Sequence, residues 1–133
     1  MLKIKRETDY AIRCIMYLSA RRSQVAGQLQ IARAMQIPKP FLSKILQRLT
    51  KTGLVLSVLG VKGGFKLAKS PARITLLDVI TAIEGPVAMN ICAVDRKICG
   101  LSGKCKVHPV WVKARAQAER ALAKVNFGKL AGK

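Results

Sequence analysis

The chain has 133 residues, of which 25 are Lys or Arg and 6 are Asp or Glu, so it carries +19, and half of it is apolar. That length buries one domain core plus an accessory segment, and the apolar content excludes disordered and low-complexity chains. Charges at Lys3, Lys5, Arg6, Glu7, Asp9 and Arg13 break up the first stretch and exclude a secretory signal. No apolar run has the length of a membrane span, so a cytoplasmic protein with no membrane partner is expected. Residues 1–70 hold 14 basic and 2 acidic residues, which places most of the excess in the front half. Such a charge points to a polyanion, and nucleic acid fits best because no single helix pairs a basic face with a bulky aromatic one.

From Thr8 to about Arg22, Ala11, Ile12, Ile15, Met16 and Leu18 recur at helical spacing. After a break at 24–28, a short second helix is predicted to turn Leu29, Ile31, Ala32 and Met35 inward. Ile37-Pro38-Lys39-Pro40 stops it, and Pro40 suits the first position of a third helix. That helix buries Leu42, Ile45, Leu46 and Leu49 and ends near Lys51-Thr52-Gly53. Its outer face offers Lys39, Ser43, Lys44, Gln47 and Arg48, whose lengths and chemistry suit phosphates and base edges in a major groove. Two short helices of this kind form a helix-turn-helix.

Residues 54–59 then read as a strand, Gly60 to Gly64 as a turn and Phe65-Lys66-Leu67 as the return strand. This hairpin is a wing, with Lys62 and Lys66 placed to hold the DNA backbone and Gly63 and Gly64 forming its tight tip. Ser70-Pro71 closes the unit. Thr75-x-x-Asp78 is a capping box that opens a fourth helix, and Gly85-Pro86 ends it. A last helix follows His108-Pro109, with Val107, Trp111, Ala114, Ala118, Ala121 and Val125 alternating in steps of four and three, as along a coiled-coil seam. The expected class is mainly α with a small β-hairpin wing: a winged helix-turn-helix over 1–85, a cysteine loop over 86–106, and a long dimerisation helix with its tail over 107–133. Packing of the last helix onto the chain's own core fits the same spacing. A homodimer on a double-stranded DNA operator fits the pairing of such motifs over two half-sites.

Chemistry is written in the loop, as Cys92-x6-Cys99-x5-Cys105-x2-His108, which includes the chain's single histidine. A disulfide framework needs an even count and an oxidising compartment, and the three loop thiols fit neither. The loop is polar and Gly-rich, a poor core for inert thiols. It has no Cys-x-x-Cys pair, which counts against a zinc ribbon or finger, whereas an iron–sulfur cluster accepts wider spacings. A metal or cluster is therefore expected at Cys92, Cys99 and Cys105, with His108 as fourth ligand and iron–sulfur ahead of zinc. Cys14 reads as a small buried hydrophobe, Asp9 as a helix cap or a partner for an Arg, and Trp111 as a packing anchor.

The order of Thr8-Asp9-Tyr10-Ala11, Ile37-Pro38 with Phe41-Leu42, Gly53-Leu54-Val55, Gly63-Gly64-Phe65 and the three cysteines followed by His108 and Trp111 resembles the Rrf-type bacterial transcription regulators. These include the iron–sulfur cluster assembly regulators and the nitric-oxide-sensing repressors, and the resemblance runs from about Met1 to Leu130. It implies a winged-helix homodimer with one cluster per subunit, of 2Fe–2S or 4Fe–4S type, whose state alters operator affinity. It implies thiolate ligation by Cys92, Cys99 and Cys105, with the fourth ligand either His108 or Asp9 supplied across the dimer. Leu59 stands where many members carry an Arg before the wing glycine, which removes one minor-groove contact. Other readings of the same residues are a cluster-free regulator that senses through thiols or a small molecule, and a basic RNA- or ribosome-associated zinc protein. An enzyme is not expected, since no acid–base pair or nucleophile–base set stands out.

Overall fold

The computed structural model describes residues 2–21 and 24–132. Helix α1, Arg6–Ala20, is the central post, with Glu7 and Asp9 in its first turn where the helix dipole favours negative charge. Its face of Tyr10, Ala11, Cys14, Ile15 and Leu18 is buried, as is the Thr8 hydroxyl. The helix begins at Arg6 rather than Thr8 and ends at Ala20; Arg22, where the pattern placed its end, lies outside the described residues.

Helix α2, Gln28–Met35, buries Ile31 and Ala32, but Leu29 is 42% exposed and Met35 only half-buried. Leu29 stands roughly 200° from Ile31 around the helix, so a two-turn helix packed on one side cannot bury both. Gln36 takes the left-handed conformation (φ 55°), and the amides of Gln36 and Ile37 both return to the Ala32 carbonyl. That closure drops Ile37 into the core and starts helix α3, Lys39–Lys51. Pro40 sits in the first turn of α3, one position later than predicted, where a missing N–H leaves no bond unmade. Leu42, Ile45, Leu46 and Leu49 are buried as the spacing required. Each contributes about 1.5–3 kcal/mol through removal from water.

Strands β1, Val55–Val58, and β2, Gly64–Leu67, form an antiparallel hairpin with Val55 opposite Leu67 and Ser57 opposite Phe65. The hairpin is not a free arm. Phe65 and Ala26 exchange backbone hydrogen bonds of 2.8 and 2.9 Å, so the α1–α2 connection acts as a short third strand. Helix α4, Leu76–Glu84, opens on the predicted capping box: the Asp78 amide donates to the Thr75 hydroxyl at 3.1 Å and the Thr75 amide to the Asp78 carboxylate at 2.9 Å. Gly85 (φ 83°) ends it.

The cysteine loop then holds two short 3-10 turns, Ile91–Ala93 and Arg96–Ile98. Helix α5, His108–Ala123, has 16 residues, with Val107 as its N-cap and Val125 beyond its end. The chain after it folds back. The Leu76 amide donates to the Val125 carbonyl and the Phe127 amide to the Ile74 carbonyl, and helix α6, Phe127–Leu130, plants Phe127 fully buried among the core residues of α1. The predicted tail is therefore part of the core, a contact made across the whole length of the chain and invisible to local periodicity.

Candidate nucleic-acid interface and cysteine loop

With Leu42, Ile45, Leu46 and Leu49 turned inward, α3 presents Lys39, Lys44, Gln47 and Lys51 to solvent. Ser43 lies at the border with α2, where its hydroxyl accepts a hydrogen bond from Gln28 Nε2. Gln28, Ser43, Gln47, Thr50, Lys51, Ser57 and Phe65 line one groove between α2, α3 and the wing. Of these, Gln28, Thr50, Lys51 and Ser57 were not singled out by the sequence. Only the wing's register, which puts Ser57 on the same face as buried Val55, and the first-turn position of Gln28 could have marked them.

At the wing, Lys62 is exposed at the tip. Lys66 faces Leu56 on the side turned away from Val55 and Leu67, so it lies on the outer surface of the hairpin. The double glycine has a steric reason. A Cβ at Gly63 would collide with the Val58 carbonyl, and one at Gly64 with the Ala26 carbonyl. Arg48 is committed elsewhere: its Nη1 donates to the Ile83 carbonyl at 2.7 Å. It is surface-exposed but points to the end of α4, on the flank of α3 away from the Ser43–Gln47 groove.

In the loop, Cys92 and Cys105 are half-buried and Cys99 is exposed, and all three are free thiols. His108 is 9% exposed, and its Nδ1 has no hydrogen-bond partner among the described residues; the same holds for the Ser102 hydroxyl. A buried ring nitrogen without a partner is costly and fits a metal ligand. The donor chemistry of the loop thus suits a soft metal centre. Its geometry does not form one ready-made: among the described residues no three of His, Cys, Asp and Glu are gathered to hold a metal. Asp9 is engaged with Arg13 of its own helix at 3.0 Å. The Arg115 guanidinium donates to the Ala93 carbonyl at 2.7 Å, pinning the residue after Cys92 to α5. Cys14 lies apart in the core, where burial pushes its thiol up to about 12, and it is chemically quiet.

Residues 4–133 match the family model Rrf2, described as an iron-dependent transcriptional regulator. The chain belongs to the Rrf2 family. Among Rrf2 relatives, the transcriptional regulator NsrR of Geobacillus kaustophilus is 31% identical over 108 residues, covering 80% of this chain and 74% of that one. The fold is that of CymR, the global cysteine regulator of B. subtilis, with a TM-score of 0.81 and 23% identity over 98% of this chain and 97% of that one. T. potens IscR superposes with a TM-score of 0.77 and 24% identity, covering 97% of this chain and 85% of that one. Rrf2 proteins are DNA-binding transcription regulators and not enzymes, so the helix-turn-helix and wing have their expected setting. Among the described residues no helix is long and apolar enough to cross a membrane.

Proposed function

We propose that this Rrf2 protein is a homodimeric repressor whose operator affinity is controlled by an iron–sulfur cluster on Cys92, Cys99, Cys105 and His108. The observation that carries the reading is the buried, unpartnered Nδ1 of His108 at the end of a loop with three free thiols. His108 is preferred over Asp9 as fourth ligand because Asp9 already holds Arg13, whereas His108 has nothing to give up. Bound there, the cluster supplies a centre whose charge and integrity respond to iron–sulfur supply, nitric oxide or oxidant. The loop residues would have to close around it, since they do not stand gathered. Lys39, Ser43, Lys44 and Gln47 enter the major groove, while Lys62, Gly63, Gly64 and Lys66 set the wing on the backbone. A coupling of about 1–3 kcal/mol between loop and operator is enough for regulation.

The test is iron and acid-labile sulfide content with a visible spectrum on anaerobically purified protein. Stoichiometric iron and sulfide are expected, with the absorption lost in Cys99→Ala and shifted in His108→Ala. A second reading, a cluster-free regulator that senses through its thiols, is favoured by the ungathered cysteines. Colourless anaerobic protein whose DNA affinity changes on thiol oxidation would select it.

A further inference from the structure

We infer that Arg48 is a positioning residue rather than a DNA contact, and that Ile83 and Glu84 form the joint through which the cysteine loop acts on the recognition helix. The inference rests on the DNA-regulator reading above and adds its route of control.

The Ile83 carbonyl belongs to the last turn of α4, where no intrahelical amide is available to it. The Arg48 guanidinium supplies the missing donor at 2.7 Å, and a cation at a helix C-terminus is favoured by the helix dipole as well. The next residue performs the converse task. The N-cap of α1 is Lys5, whose side chain offers no oxygen to cap the helix. The Glu84 carboxylate braces this end from across the fold, accepting the N-cap's own amide, that of Lys5, at 3.0 Å and the buried Thr8 hydroxyl at 2.6 Å. Two consecutive residues therefore hold two different helices, and one of these is α3.

The position of the pair in the chain gives it its role. Gly85 and Pro86 follow at once and lead into the cysteine loop, which is fastened again at Ala93 by Arg115. Between these two fixed points the segment 86–89 borders a cleft with Glu84, Arg115 and Ala118, so it has room to shift. On the other side, Ile83 and Arg48 share a second cleft with Lys5, Lys44 and Ile45. Closure of the loop pulls on Gly85, and a displaced Ile83 carbonyl carries Arg48, and with it the flank of α3 that bears Lys44.

The experiment uses the full chain, a non-specific DNA duplex titrated over a range of salt, and native-state amide exchange. Arg48→Ala is expected to leave the slope of log affinity against log salt unchanged, because no phosphate contact is lost. Lys44→Ala is expected to lower it by about 0.9. In Arg48→Ala the amides of 85–94 are expected to exchange about tenfold faster as the end of α4 loosens, and Arg48→Lys, which keeps a long cationic donor, restores their protection. Thr8→Val, which weakens the grip on Glu84, is expected to speed the same amides without changing the slope, and it serves if Arg48→Ala fails to fold. A slope reduced by about 0.9 in Arg48→Ala, with exchange at 85–94 unaltered, would make Arg48 a phosphate contact and overturn the inference. If the wild-type chain binds no duplex at all, the DNA reading fails, while the exchange data still decide whether Arg48 holds α4.

Discussion

Gly64 and Phe127 show how much of this molecule hangs on single side chains, or on the lack of one. Gly64 has φ 153° and lies so close to the Ala26 carbonyl that any Cβ would push the α1–α2 connection off the wing. Gly64→Ala is expected to cost about 1–3 kcal/mol and to weaken DNA binding through a displaced hairpin. Denaturant unfolding and a binding titration on the same variant check both effects. Phe127 is fully buried and fills space between α1 and the segment before α4. Phe127→Ala is expected to lower unfolding free energy by about 3–5 kcal/mol, because the ring's removal leaves a cavity that surrounding backbone cannot close. A loss below about 1 kcal/mol would mean that the return segment adds little to the core.

At the scale of elements, the proposed DNA-reading face of α3 should separate two kinds of contact. Lys44 acts as a point charge, so Lys44→Ala should weaken all duplexes alike. Gln47 is uncharged and central on the exposed face, so Gln47→Ala should leave the salt slope intact and lose about 1–3 kcal/mol of discrimination at one base pair. Equal weakening on every sequence would place Gln47 on the backbone instead. The start of α4 gives a cleaner energetic test: Thr75→Ala removes one arm of a reciprocal cap and should cost about 1 kcal/mol in thermal or denaturant unfolding. These elements were legible in the sequence for local reasons. Proline fixes where α3 begins, a 3.6-residue stripe fixes its buried side, and Thr-x-x-Asp marks a helix start within four residues. Leu29 was misread because a short helix has room for one buried stripe only. The tie of exposed Arg48 to the Ile83 carbonyl was not legible, because nothing local announces that a carbonyl 35 positions away needs a donor. The residue types on the outer face of α3 and their order along the chain were therefore legible locally. The long-range tie of Arg48 to α4 and the return of Phe127 to the core were not, since both depend on which surfaces meet after folding.

At the scale of the whole molecule, the cysteine loop sits between two anchors on one body. Its start leaves from the end of α4, and its far side leads through α5 to a segment that ends in the core. Both flanks of the loop are thus tied to the body that carries α3 and the wing. The four thiols divide along the same line, three in the loop and Cys14 sealed within α1. Because burial raises the Cys14 pKa from 9.0 to about 12, the folded state holds its proton over a range in which the unfolded thiol loses it. That term of stability is complete below pH 9 and falls as pH rises toward 12. On reduced, cluster-free protein under native conditions, a thiol-reactive dye should accordingly count three rapid equivalents and one slow one. The rapid three report whether the loop is occupied or oxidised. The slow one advances only when the core opens, so its rate, divided by that of a free thiol, gives the opening equilibrium of the protein. One reaction in one cuvette thus reads the state of the loop thiols and the integrity of the fold on separate clocks.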